Sequence, residues 1–282
     1  MSTATGTSTY LVWGAATHRG LRRTLNEDSF LADRSAFFVA DGMGGHDAGE
    51  VASATAVESL RALARGAAVD VDVVRARLDE AQARVRAIES APGRGAGTTL
   101  SGVVVVEHDD VPYWLVVNVG DSRTYQLSGG TLQQLSVDHS EVQELVEAGL
   151  ITAAAAAAHP RRHVVTRALG SWPPPEPDCW YVPVVMNDRI LVCSDGLTGE
   201  VDDARIVELL LEHPAPQAAA DALVGAALES GGRDNITVVV VDVARGQDDD
   251  AGAVTAPRNH ERSGAGDDTL PRTGRRTEEG PG

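Results

Sequence analysis

The chain of 282 residues contains no lysine; all 24 of its basic residues are arginine, set against 41 acidic ones. The resulting formal charge of −17 and isoelectric point near 4.8 leave no basic footprint for nucleic acid or an anionic membrane, and neither is expected as a partner. Cysteine is almost as scarce. Cys179 and Cys193 cannot build a disulfide framework, and Cys193, inside the apolar run ILVCSDG, reads as a small buried hydrophobe in a reducing compartment. No hydrophobic run approaches the roughly 18 residues of a transmembrane helix. The N-terminal MSTATGTSTYLVWGAATHRG has no early basic cluster, and its apolar stretch is too short and interrupted for a signal peptide. A cytoplasmic, soluble protein is the expectation. What remains is ordinary for a globular chain, 43% hydrophobic and 23% charged residues, enough for one large domain or two small ones.

Four aspartates stand out. Asp41 in FFVADGMGGH, Asp121 in LVVNVGDSR, Asp195 in ILVCSDGL and Asp234 in GGRDNITVVVV each sit where a strand-forming run meets a glycine or a turn. Gathered at one end of a sheet they would repel one another, so the arrangement requires protonation or intervening cations. Any one of them alone is better explained as a turn or cap residue. Four, each with its own apolar run, point to a divalent-metal site.

Residues 10–17 and 29–40 read as strands, the second broken in two at Ala32-Asp33-Arg34-Ser35. After the DGMGG glycines the period changes to that of helices. Val51, Ala54, Val57, Leu60 and Ala64 mark one face, and Val74, Leu78, Ala81, Val85 and Ile88 a second. The runs LSGVVVVEHD, PYWLVVNVG, RTYQL and TLQQL, joined by Asp109-Asp110 and a Ser-Gly-Gly turn at 128–130, predict an antiparallel meander. A helical SEVQELVEAG, six alanines, HPRRHVVTRALG and a proline-rich WPPPEP loop follow. Two more strands (CWYVPVV, RILVCS), helices near 203–211 and 216–230, and a closing ITVVVVDVA complete the pattern. The fold class expected is α+β, two mainly antiparallel sheets face to face with helix pairs outside. Residues 1–8 are expected to be a flexible N-terminus and 9–244 the folded domain. Residues 245–282, polar, rich in Gly, Pro and Thr and aperiodic, are expected to be a disordered tail. That tail's eight acids and six arginines put most of the negative charge in the folded part.

Oxygen ligands without a Cys or His cluster favour magnesium or manganese over zinc. A carboxylate bridging two such ions places a shared water under the field of both and lowers its pKa. Asp41 is the best bridging candidate, because Gly42 frees its own carbonyl to turn toward a metal. Arg23, in RRTLNEDSF, suits a phosphate dianion, with Glu27 and Asp28 as an outer shell that orients metal-bound waters. Taken alone, that segment reads better as an exposed turn with a surface ion pair.

The ordered set RxxNED, DGMGGHxxGExAS, GTT, NVGDSR, DHS, HPRR, TRALG, SDGL and RDNIT resembles the metal-dependent Ser/Thr protein phosphatases, the protein phosphatase 2C family in its bacterial form, from about residue 9 to 243. The resemblance implies a four-layer αββα sandwich with a binuclear Mn2+ or Mg2+ centre at one end and in-line attack on phosphorus by metal-bound water. It implies Asp41 as bridging ligand, Gly42 as carbonyl ligand, and Asp195 and Asp234 as ligands of the first metal. Asp121 then holds a third, weaker ion shared with Asp195, Arg23 binds phosphate, and His46 is a candidate proton donor to the leaving oxygen. Substrates would be phosphoserine and phosphothreonine proteins, with a Ser/Thr kinase as the opposing partner and a monomer as the usual state. The pattern departs in the flap beside the site, where Ala153–Ala158 replaces an acidic pair and His163 stands where Asn is usual. The competing readings are a silent pseudophosphatase acting as an interaction protein, a phosphatase for an anti-anti-sigma factor, and an acidic binding module. The last leaves Arg23 beside the carboxylates unexplained.

Overall fold

A computed structural model describes residues 9–44, 48–64, 69–89, 95–108 and 111–245. The expected flexible segment 1–8, His46, the Asp109-Asp110 link and the expected tail after Arg245 lie outside the described residues. Among those described, no helix is long and apolar enough to cross a membrane.

Among the described residues, eleven strands form two antiparallel sheets. One has the order β1 (Thr9–His18), β11 (Ile236–Arg245), β10 (Arg189–Cys193), β7 (Arg123–Ser128), β8 (Thr131–Gln134). The other runs β2 (Asp28–Asp33), β3 (Ala36–Met43), β5 (Leu100–His108), β6 (Val111–Val119), β9 (Asp178–Pro183), with the two-residue β4 (Gly97–Thr98) beside β3. The side-chain period of two sorts the residues of each central strand onto two buried faces. Phe37, Val39, Val103, Trp114 and Val116 from one sheet meet Ile190, Val192, Val239 and Val241 from the other. The alternate residues Phe38, Ala40, Val104, Leu115 and Val117 face helices α1 (Ala48–Leu60) and α2 (Val71–Arg86). On the far side Leu191, Cys193, Val238 and Val240 pack under α5 (Asp195–Thr198), α6 (Asp203–Glu212) and α7 (Pro216–Glu229). This is why the central strands read as unbroken apolar runs, and why Cys193 is buried as a small hydrophobe.

Two sequence expectations fail here. The meander is not one sheet: β5 and β6 belong to the second, β7 and β8 to the first, and the chain changes sheets at Gly120-Asp121-Ser122. Gly120 has φ +104°, and a Cβ there would lie 2.6 Å from Thr99 Cγ2, so the crossover needs glycine. The expected inner face of α1 is also displaced. Val57, Leu60 and Ala64 are buried, but Val51 is 47% exposed, and Ala48, Ala52, Ser53 and Ala56 turn inward. The small side chains let the helix approach the sheet closely: Gly49 lies against Gly42, and Ser53 Oγ donates to the Glu27 carbonyl at 2.5 Å. Ranking by hydrophobicity favours valine where close approach selects alanine and serine. The face of α2 is as expected, and Asp70 caps its N-terminus by accepting from the Val73 amide at 2.8 Å.

Between β8 and β9 the chain leaves the sandwich as a flap carrying α3 (Glu141–Glu147) and α4 (Ala153–Ala157). Ser140 and Thr152 cap them. The flap returns to the sandwich through a bridge between Ser140 and Val165 and another between Leu169 and Thr98.

Candidate active site

All four aspartates reach the same end of the sandwich and line one cavity of about 590 Å3, together with Arg23, Glu27, Gly42, Thr99, Arg162, His163, Glu200 and Arg233. Each arrives by a strand end. Asp41 closes the apolar part of β3 and sits in register opposite Asp28 of β2. Asp195 follows β10, Asp234 precedes β11, and β10 and β11 pair side by side. Asp121 occupies the crossover between the sheets.

Main-chain clamps hold this geometry. The Asp41 amide donates to Thr99 Oγ1 at 2.9 Å, its carbonyl accepts from the Thr99 amide and from Thr98 Oγ1, both at 2.9 Å, and Thr99 Oγ1 lies 2.7 Å from Ser122 Oγ. The GTT and GDS segments therefore fix Asp41 relative to Asp121. Asn235, buried at the start of β11, accepts from the Glu27 amide at 2.8 Å and donates to the carbonyls of Arg19 and Leu25. It fastens the arginine loop beside Asp234. Gly42 is demanded by packing, since a Cβ there would collide with the Gly49 and Glu27 carbonyls. The reason is close approach of α1, which differs from the conformational freedom expected of it.

The electrostatic cost is concentrated beneath the cavity. Asp28 is buried; Ser194 Oγ donates to its Oδ2 at 2.8 Å, while its Oδ1 has no partner among the described residues. Burial, with added repulsion from Asp195 and Asp234, pushes its carboxyl up to about 7 against the opposing pull of the neighbouring Thr237 and Ser194 hydroxyls. Burial and repulsion from Asp195 and Asp138 push Asp121 up to about 7 as well. Asp41 is held well above the ordinary carboxylate range, by burial first and then by Asp28, Asp195, Asp121 and Asp234. On the rim, Arg23 Nη2 donates to Asp234 Oδ2 at 2.7 Å, which raises its own pKa. His163 Nδ1 stands 3.7 Å from Asp195 Oδ2, and that carboxylate raises the imidazole pKa.

Mutually repelling carboxylates over a buried, partnerless oxygen fit hard divalent cations. Among the described residues no three carboxylate, imidazole or thiol groups converge closely enough to enclose one ion. The aspartates are spread along the cavity instead, as suits ions that keep much of their water and take one or two carboxylates each.

Of the residues singled out from sequence, Arg23, Glu27, Asp41, Gly42, Asp121, Asp195 and Asp234 share the cavity, Asp28 lies directly below, and His46 falls outside the described residues. Several others were not foreseen as parts of the site. Thr99, Ser122, Ser194 and Asn235 lie inside the quoted motifs but act through backbone and carboxylate contacts that spacing does not reveal. Glu200 and Arg233 form a rim pair joined by bonds of 2.9, 2.9 and 2.7 Å; Arg233 opens the quoted RDNIT, but its partner lies 33 positions away, outside every quoted motif.

A family model described as protein phosphatase 2C matches residues 17–227. The serine/threonine protein phosphatase PstP of Mycobacterium tuberculosis is 39% identical over 243 residues, covering 83% of this chain and 45% of PstP, so the chain spans less than half of that relative's length. Among solved structures, the PPM Ser-Thr phosphatase MsPP from Mycobacterium smegmatis in complex with cacodylate is 41% identical with a TM-score of 0.77, over 84% of this chain and 100% of MsPP. The catalytic domain of PstP in complex with two manganese ions is 37% identical with a TM-score of 0.73, over 84% of this chain and 100% of that one. The family match includes the strands and turns that deliver Asp41, Asp121 and Asp195 to their common cavity, and the chain belongs to the protein phosphatase 2C family.

Proposed function

We propose that this chain is a Mn2+- or Mg2+-dependent protein serine/threonine phosphatase that hydrolyses phosphoserine and phosphothreonine and opposes a bacterial Ser/Thr kinase. The observation that carries the reading is the meeting of Asp28, Asp41, Asp121, Asp195 and Asp234, with arginines at the rim, at one end of both sheets. Family membership and the manganese-bound relative support it. Asp41, the Gly42 carbonyl, Asp195 and Asp234 would hold two ions, and Asp121 with Asp195 a third. Bound there, such cations neutralise the carboxylates, draw in a phosphate dianion and acidify water to near neutrality.

The remaining steps fall to the chain's own groups. Arg23, half-exposed, can turn its fork from Asp234 to the phosphate when cations take over the neutralisation of that carboxylate. Glu27 and Asp28 sit behind the ligands, where carboxylates orient water rather than touch substrate. His163, brought to the rim by the flap with Nδ1 3.7 Å from Asp195 Oδ2, can offer a proton near the leaving oxygen.

The test is hydrolysis of a phosphothreonine peptide. Turnover should require added Mn2+ or Mg2+, stop on addition of EDTA, and be lost in Asp195→Asn. Robust turnover by metal-free protein would overturn the proposal.

A further inference from the structure

Outside the aspartate cavity, a polar junction near it centres on a residue that the proposed chemistry does not use. His139 is 5% exposed. Its backbone amide donates to the Gly120 carbonyl at 2.9 Å, and the Gly120 amide returns the bond to His139 Nδ1 at 3.1 Å. A backbone N–H can donate only to an unprotonated ring nitrogen, so the proton sits on Nε2, which faces Asp178 Oδ2 at 3.1 Å. Asp178 in turn accepts from Arg167 Nη1 at 3.3 Å, and the Thr166 amide donates to the His139 carbonyl at 2.8 Å. One residue, through its backbone and its ring, thus joins the entry of the flap, its exit, the first residue of β9 and the crossover that carries Asp121. The other end of that crossover is held through Ser122 by Thr99.

We propose that His139 is a positioning residue for Asp121: its Nδ1 fixes the Gly120 amide, sets the direction of the Asp121 carboxylate toward the third cation, and makes that ion's affinity depend on how the flap is seated. The geometry selects the ion affected. Asp41 and Asp234 are anchored by Thr99, Arg23 and Asn235 and have no bond to His139, so the two tighter ions should not respond. The proposal rests on the reading of Asp121 as a cation ligand.

Two near-isosteric substitutions separate positioning from mere filling of the core. In His139→Asn the amide oxygen takes the place of Nδ1 and keeps the bond from Gly120, whereas His139→Gln places its amide toward Asp178 and abandons Gly120. Calorimetric titration with Mn2+ should show the weakest ion within about threefold of wild type in His139→Asn and weakened about tenfold or more in His139→Gln, with the two tight ions unchanged in both. Hydrogen exchange at the Gly120 amide should quicken in His139→Gln only. Should His139→Gln fail to fold, Asp178→Ala leaves the ring in place and removes the acceptor that anchors Nε2–H, so the ring can turn away from Gly120; it too should weaken the last ion alone. Equal affinities in the Asn and Gln variants, or an unaltered weak ion in Asp178→Ala where Gln does not fold, would overturn the proposal. If Asp121→Ala changes no ion's affinity, the reading of Asp121 falls and the proposal with it. A His139-dependent weak ion in a protein without phosphatase activity would remove the proposed function and leave the positioning role standing.

Discussion

The floor of the cavity and the flap above it meet the same space but are built by opposite means. Each floor aspartate ends or precedes a strand whose apolar residues are buried on both faces, and Asp41 alone is gripped by three bonds to Thr98 and Thr99. The flap has two short helices, of seven and five residues. Leu150 is 70% exposed, Ala153, Ala154 and Ala155 face solvent, and the fixed points are at its ends, where His139, Ser140, Val165 and Leu169 return to the sandwich. Repelling carboxylates can be kept together only by a scaffold too well packed to relax, so they fall on the floor. A segment with few buried contacts opens at low free energy, as the proposed phosphoprotein substrate would require.

The comparison breaks most visibly if a floor residue can be changed cheaply. Asp41→Asn should lower kcat/KM by roughly a thousandfold, the several kcal/mol expected when cation-centred stabilisation is lost. In EDTA the same variant should unfold at the same or a higher temperature than wild type at pH 8, because one member of a repelling set has been neutralised. A variant that loses activity and also melts several degrees earlier would mean that Asp41 is a structural group.

Proton linkage probes the same floor without mutation. The carboxyls of Asp28 and Asp121 stand at about 7 in the metal-free fold against an ordinary 3.8, so the native state holds more protons than the unfolded chain between those values. Stability from these groups is intact below the lower value and falls as pH rises through the upper one. Added Mn2+ should therefore raise the melting temperature of EDTA-stripped protein more at pH 8 than at pH 5, where protons already neutralise the carboxyls. An equal rise at the two pH values would show that these groups do not carry the repulsion.

Arg23→Ala sits between floor and rim and should have a smaller effect. If the arginine grips the ground-state phosphate, KM for a phosphothreonine peptide rises about tenfold with kcat within about twofold, the signature of lost uniform binding. A large fall in kcat at constant KM would place Arg23 in the transition state instead.

The same contrast explains what the sequence made legible. The floor was readable because strand ends are punctuated locally: VADG, NVGDS, CSDG and GRDN each join an apolar run to a turn. Both sheets were readable for the same reason, but not the allocation of strands between them, because nothing in LVVNVGDSRTYQL marks Gly120 as a change of sheet rather than a hairpin. The inner face of α1 is not legible, since alanine and serine signal proximity only in three dimensions. The segment RRTLNEDSF marks Arg23, yet its bond to Asp234, 211 positions away, depends on Asn235 pulling two distant loops together. His139, in the quoted DHS, shows its role only through contacts with Gly120 and Asp178 that no local pattern encodes.

The smallest effect is expected where the flap is loosest, and it sharpens the comparison most. Ala154 lies on the exposed side of α4, whose five residues are alanine throughout and whose N-terminus is held by Thr152 Oγ1 at 3.2 Å from the Ala155 amide. Glycine costs about 1 kcal/mol relative to alanine in a helix. Paid locally, that is a roughly fivefold rise in amide exchange across α4. Because α4 is not needed to hold the floor, Ala154→Gly should leave the melting temperature within about one degree and kcat on a small aryl phosphate within about twofold. If the exchange rise spreads to β7 or the melting temperature falls by several degrees, α4 is part of the cooperative core and the boundary between floor and flap has been drawn in the wrong place.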